Sequence, residues 1–181
     1  IVASLVGSEM CIRDSACTLA IATNTIADKA KAHNQFNEVN ISSDQELNVN
    51  YREIIKTFSQ ELRVDKTNKK ALLTRAYAKG KMKFFKSALK DLNFLIKMDS
   101  DFNDSAIFLR GWIHTNLKNY SDAINDYSRS IKNNVFLETS YANRGFLKEI
   151  MHDNAGACSD WQKGGALGNE TASSAFENHC L

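Results

Sequence analysis

Three stretches of this chain align with one another without a gap: RAYAKGKMKFFKSALKDL from Arg75, RGWIHTNLKNYSDAINDY from Arg110 and RGFLKEIMHDNAGACSDW from Arg144. Their starts, at 75, 110 and 144, are 35 and then 34 residues apart. In each copy the arginine precedes a small residue (Ala76, Gly111, Gly145). Nine positions after the small residue come Phe85, Tyr120 and Asn154, and twelve after come Ala88, Ala123 and Ala157. Fifteen after come Asp91, Asp126 and Asp160, and sixteen after come the bulky Leu92, Tyr127 and Trp161. A period of 20–50 residues is the mark of a repeat array, in which each unit buries its apolar face against its neighbours.

Each copy reads as two amphipathic helices joined by a short turn. A small residue on the first helix and an alanine on the second allow close approach, and a large residue fills the remaining space. This arrangement resembles the tetratricopeptide repeat (TPR) family, whose period is 34 residues. Asn154 departs from its usual aromatic, and the proline that often follows the second helix is absent. The resemblance implies an all-α fold, a right-handed superhelical α-solenoid of helix-turn-helix repeats. The full repeats are expected at about 68–101, 103–135 and 137–168.

Upstream, Tyr51, Ile54, Phe58, Leu62 and Asp65 stand 34 residues before Phe85, Ala88, Leu92, Ile96 and Asp99, so YREIIKTFSQELRVD reads as one further second helix. No arginine–small pair precedes it. Ser43 with Glu46 reads as a capping box, which predicts one long helix over 44–64 within a partial repeat of about 44–66. Downstream, Gly168 reads as a helix C-cap, and Ala172, Ala175 and Phe176 as a short amphipathic helix that caps the array over about 169–180. The expected helices are 44–64, 68–81, 86–98, 103–117, 121–133, 137–151, 154–166 and 169–179.

Arg75 and Asp91, Arg110 and Asp126, and Arg144 and Asp160 are each sixteen residues apart. Across a hairpin that spacing sets them face to face, as structural ion pairs that can reach a neighbouring repeat. Their alternative use is a charged ligand site. The TPR resemblance implies that first-helix residues line a concave groove for extended or helical peptides. The position after the small residue holds Tyr77, Trp112 and Phe146, and four residues earlier come Leu73, Phe108 and Ala142. This stripe is either packing between repeats or an apolar peptide groove with Trp112 as its anchor, since buried aromatics dominate binding energy. The Lys/Asn carboxylate clamp of the family is not expected, because these positions are aromatic or aliphatic. Lys70, Lys81 and Asn116 stand nearby as polar neighbours.

A net charge of +2 is too balanced to argue for nucleic acid or an anionic membrane. With 43% hydrophobic and 24% charged residues the composition is that of an ordinary globular chain, and no apolar run is long enough to span a bilayer. No nucleophile elbow, phosphate loop or HExxH motif occurs, so neither an enzyme nor a cofactor is expected. The Gly164–Gly165 pair belongs to a helix end. His33 and His114 are scattered, and His152, Cys158, His179 and Cys180 match no zinc spacing, so no metal is expected.

Of four cysteines, Cys158 and Cys180 fall on the last repeat and on the cap. In an exported protein they would form a disulfide worth roughly 3 kcal/mol for a loop of about twenty residues; in a cytosolic one they would be free thiols. Ala16–Ala27 is apolar, with Thr25 and Ala27 at signal-peptidase positions, and 28–43 is polar. Residues 16–43 therefore read as a truncated signal peptide and flexible lead-in, which favours a periplasmic or secreted address over a cytoplasmic one. Leu5–Ser15, LVGSEMCIRDS, is similar to the translation of a transposase-type sequencing adapter, so residues 1–15 are expected to be non-native and the chain to belong to a longer reading frame. The function expected is a scaffold that binds a protein or peptide. The alternatives are a self-assembling structural repeat of open oligomeric state and an accessory segment of a larger protein.

Overall fold

A computed structural model describes residues 50–98 and 101–181. The adapter-like stretch, the leader-like segment, Cys11, Cys17, His33 and the Ser43–Glu46 box lie outside the described residues. The described residues form eight helices: α1 Tyr51–Val64, α2 Lys69–Lys81, α3 Phe85–Lys97, α4 Asn103–Asn116, α5 Tyr120–Lys132, α6 Leu137–Ile150, α7 Asn154–Ala166 and α8 Glu170–Cys180. Helix α1 starts at Tyr51 instead of near residue 44. The Asn50 side chain accepts the Glu53 N–H and caps the helix there. The other boundaries fall within one residue of expectation.

Short polar caps set several starts. Asn68 accepts from the Ala71 N–H, Asp153 from Gly156 and Asn169 from Ala172, each supplying one of the acceptors that a helix N-terminus lacks. The helix ends share a different device. Lys83, Lys118, Asn134, His152 and Gly168 all take positive φ, between 55° and 97°. In each case the following N–H reaches back five residues: Phe84 to Lys79, Asn119 to His114, Val135 to Ser130, Asp153 to Lys148 and Asn169 to Gly164. This is the Schellman ending, which satisfies carbonyls left open at a helix C-terminus. Only Gly168 adopts the left-handed conformation without steric penalty.

The chain divides into two compact units, Ile1–Asn103 and Asp104–Leu181. In the first, α2 packs against both α1 and α3. Ile54, Phe58 and Leu62 of α1, Ala71, Leu72, Leu73, Ala76 and Ala78 of α2, and Ala88, Leu92 and Leu95 of α3 are buried. In the second, α4 pairs with α5 through Phe108 on Tyr127, and α6 packs against α5 and α7. Helix α8 lies against α7 and touches α6, burying Ala172 and Ala175 with Ala142, Ala157 and Trp161. A disulfide between Cys158 and Cys180 joins α7 to α8.

Within each repeat the volumes of the paired residues are complementary. A methyl group at Gly111 would sit 3.2 Å from the Tyr127 ring, and one at Gly145 only 2.6 Å from the Trp161 ring. The first repeat carries Ala76 opposite the smaller Leu92, both fully buried. Where the second helix carries the larger ring, the first gives up its side chain. Gly164 repeats the device at the cap: an added methyl would meet the Ala172 methyl at 3.1 Å and the Glu138 carbonyl at 3.2 Å.

Two outcomes follow. Gly145→Ala gains about 1 kcal/mol of helix propensity but overpacks the indole, so it lowers stability by a net ~1–3 kcal/mol in urea unfolding. In a Trp161→Leu background the same change is neutral or stabilising, a coupling of at least about 1 kcal/mol. Lys83→Gly, Lys118→Gly and His152→Gly each raise the urea midpoint, by an equivalent of roughly 0.5–1 kcal/mol, because glycine relieves the left-handed backbone. A lowered midpoint in all three contradicts the turn assignment.

Candidate functional site

Each repeat carries a charged pair beside its volume pair. Asp91 on α3 accepts from Arg75 Nε at 2.9 Å and from a terminal guanidinium nitrogen at 2.8 Å. Asp126 on α5 accepts from Arg110 at 2.8 and 2.6 Å, and Asp160 on α7 from Arg144 at 2.8 and 2.7 Å. All three are two-pronged pairs between the first and second helix, the geometry that a planar guanidinium favours. The carboxylates are buried and the arginines half-buried.

A second cation enters in two repeats. Lys79 Nζ lies 2.8 Å from Asp91, and Lys148 Nζ 2.8 Å from Asp160, one helical turn after each arginine. At the equivalent position α4 carries His114, whose Nδ1 is 3.4 Å from the Asn119 side-chain nitrogen. The pairs also extend backward. Arg75 donates to Ser59 Oγ on α1 at 3.3 Å, and Arg144 to Ser128 Oγ on α5 at 2.9 Å. Each of these arginines therefore ties three successive helices. The signal for the serines was present in the sequence, since Ser59 and Ser128 stand sixteen residues before Arg75 and Arg144.

Burial opposes ionisation of Asp160, but hydrogen bonds from Arg144 and Lys148 outweigh it and hold its carboxyl below the ordinary value of 3.8. The same bonds raise Arg144 against its own burial, and the hydrogen bond to Asp126 raises Arg110. Burial pushes the Tyr127 hydroxyl well above the usual phenol range, although Thr115 and Asn143 hydrogen-bond to it. Asp160, Arg144, Arg110 and Tyr127 are thus all engaged within the hairpins.

The stripe of first-helix residues separates into two sets. Leu73, Tyr77 and Phe108 are buried, as is Ala142. Tyr77 meets the Tyr51 ring edge-on at 6.3 Å, and Phe108 packs on Tyr127 at 5.7 Å and on Phe136 at 4.6 Å. These residues fill the interior. Trp112 on α4 and Phe146 on α6, at equivalent positions of the second unit, are half-buried. Phe146 also contacts Trp161 at 5.2 Å. Of the polar neighbours, Lys70 and Asn116 are exposed and Lys81 half-buried, and the Asn116 amide donates to the Trp112 carbonyl at 2.8 Å. Cys158 and Cys180 are joined to each other, and His179 pairs with Glu149 at 2.8 Å.

The fold is all-α and of the TPR-like helical-repeat type. Solved structures of MamA are among those that share it. A crystal structure of MamA aligns with a TM-score of 0.57 at 16% identity, covering 87% of this chain and 94% of that one. A MamA RS-1 ArsTM double mutant aligns with a TM-score of 0.61 at 14% identity, over 84% of this chain and 93% of that one. A further crystal structure of MamA protein gives 0.59 at 18%, over 88% and 81%. No protein-family model matches the sequence. No curated protein matches it either. No described helix is long and apolar enough to cross a membrane.

The charged pairs give a pH signature. A carboxyl held below its ordinary value contributes stability above pH 3.8 and loses it as the pH falls through the folded value. Asp160→Asn leaves Arg144 and Lys148 without their anionic partner and costs on the order of 3 kcal/mol at neutral pH. In urea unfolding the gap between wild type and Asp160→Asn holds from neutral pH down to about 3.8 and closes below it. A gap independent of pH contradicts the pairing.

Proposed function

We propose that this chain is a non-enzymatic scaffold that binds a protein or peptide through the first-helix face of its second unit. The observation that carries the reading is the contrast within the aromatic stripe. Leu73, Tyr77 and Phe108 are spent on packing, whereas Trp112 and Phe146 keep part of their surface open at matching positions of α4 and α6. A large aromatic with partial exposure on a rigid helix is the kind of group that anchors a partner at low entropic cost. The TPR-like fold shared with MamA supports an interaction scaffold. Helix α8 and the Cys158–Cys180 disulfide cover the face of α7 on which a further helix would otherwise pack.

A displayed peptide library panned against the protein tests this directly. Wild type is expected to enrich peptides with an apolar residue in common. Trp112→Ala is expected to weaken the best of them tenfold or more while the helical circular dichroism of the folded protein stays near wild type. Equal affinity of Trp112→Ala for the selected peptides, or no enrichment by wild type, overturns the proposal.

A further inference from the structure

A cleft of about 460 Å³ lies in the first unit, where α1, α2 and α3 meet. Its lining is Ser59, Leu62, Arg63 and Lys66 from α1 and the turn after it, Leu72 and Arg75 from α2, and Lys90, Asp91 and Phe94 from α3. It is not on the face already described. On α2, Leu72, Arg75 and Lys79 follow one another at three- and four-residue spacing, while Leu73 and Tyr77 fall on a different face of the same helix. The cleft opens between two second helices, α1 and α3, across α2.

The chemistry of the lining is uneven. Leu62 and Leu72 are buried and form an apolar floor, and Phe94 is a large aromatic at the mouth, 44% exposed. The polar groups of the floor are spent on one another: Arg75 holds Asp91 and Ser59, and Lys79 also pairs with Asp91. The rim is different. Arg63, Lys66 and Lys90 are all exposed, and no acidic group among the described residues pairs with them. The nearby Asp65 carboxylate accepts from the Thr67 N–H at 2.9 Å and the Thr67 hydroxyl at 2.7 Å, an arrangement that fixes the turn carrying Lys66. Among the described residues, three cations without an acidic partner therefore stand beside an apolar floor, on a chain whose overall charge is nearly balanced. Local potential, not net charge, selects a partner at such a spot.

We infer that this cleft is a second docking site, for an acidic peptide segment that places one apolar side chain on Leu62, Leu72 and Phe94 and its carboxylates against Arg63, Lys66 and Lys90. A segment with both features matches the lining. A uniformly anionic polymer leaves the floor unfilled, and an apolar peptide without carboxylates leaves the cations unanswered. The site acts independently of Trp112, so either can fail without the other.

The test is fluorescence anisotropy of the full chain with a fluorescein-labelled nonapeptide, Glu-Asp-Glu-Leu-Phe-Asp-Glu-Glu-Asp. Binding is expected at low salt, weakening several-fold as ionic strength rises toward physiological. Lys66→Glu combined with Lys90→Glu should weaken it at least tenfold and Phe94→Ser at least fivefold. Lys66 and Lys90 are exposed, so their combined variant should leave the unfolding midpoint near wild type, and Trp112→Ala should bind as wild type does. An analogue with Ala in place of Leu and Phe should bind at least fivefold less well. No binding of the nonapeptide overturns the inference. So does undiminished binding by the Lys66/Lys90 variant, or tighter binding of oligo-dT or phosphatidylserine vesicles than of the peptide.

Discussion

The structure depends on one contact repeated three times: a two-residue step on the first helix of a hairpin set against a two-residue step on the second. Arginine meets aspartate, and the next residue along meets its partner in volume. The charged half is directional and the apolar half is steric, so together they leave one register for the hairpin. The apolar half supplies most of the stabilisation, since a buried ion pair gains little net energy over a hydrophobic replacement. The charged half makes alternatives costly, because a slipped register would bury Asp160 without Arg144 and Lys148. Ser59 and Ser128 extend the same grip to the helix before.

Much of the architecture was legible because these contacts are written at constant spacing. The sixteen-residue interval located the pairs, the period located six of the eight helix starts to within a residue, and Gly168 with the alanines after it located the last. What escaped had no periodic signal or the wrong residue type. Gly168 announced its left-handed turn, but Lys83, Lys118, Asn134 and His152 adopt the same conformation without a glycine to mark it. The start of α1 at Tyr51 depends on one Asn50 side-chain bond, which competed in the sequence with a plausible box further upstream. The aromatic stripe was visible as a stripe, yet periodicity alone could not separate Tyr77 and Phe108, turned into the interior, from Trp112 and Phe146, which keep open surface. The cleft on α1–α3 was not visible at all, since Arg63, Lys66 and Lys90 converge from two helices and a turn.

The functional reading rests on what the repeats leave over. Trp112 and Phe146 keep part of their surface open, and Arg63, Lys66 and Lys90 line the first-unit cleft as exposed cations. The proposed role as a holder of proteins draws on both surfaces, one aromatic and one cationic.

The most direct measurement of the central claim is a double-mutant cycle on Arg110 and Asp126, where the guanidinium donates at 2.8 and 2.6 Å and no second lysine shares the carboxylate at the position of Lys79 or Lys148. Arg110→Met, Asp126→Ala and the combined variant would be unfolded in urea. The account predicts a coupling of at least about 1.5 kcal/mol, with the combined variant less destabilised than the two single effects together. Coupling within error of zero would mean that the paired charges do not hold the hairpin, and would contradict it.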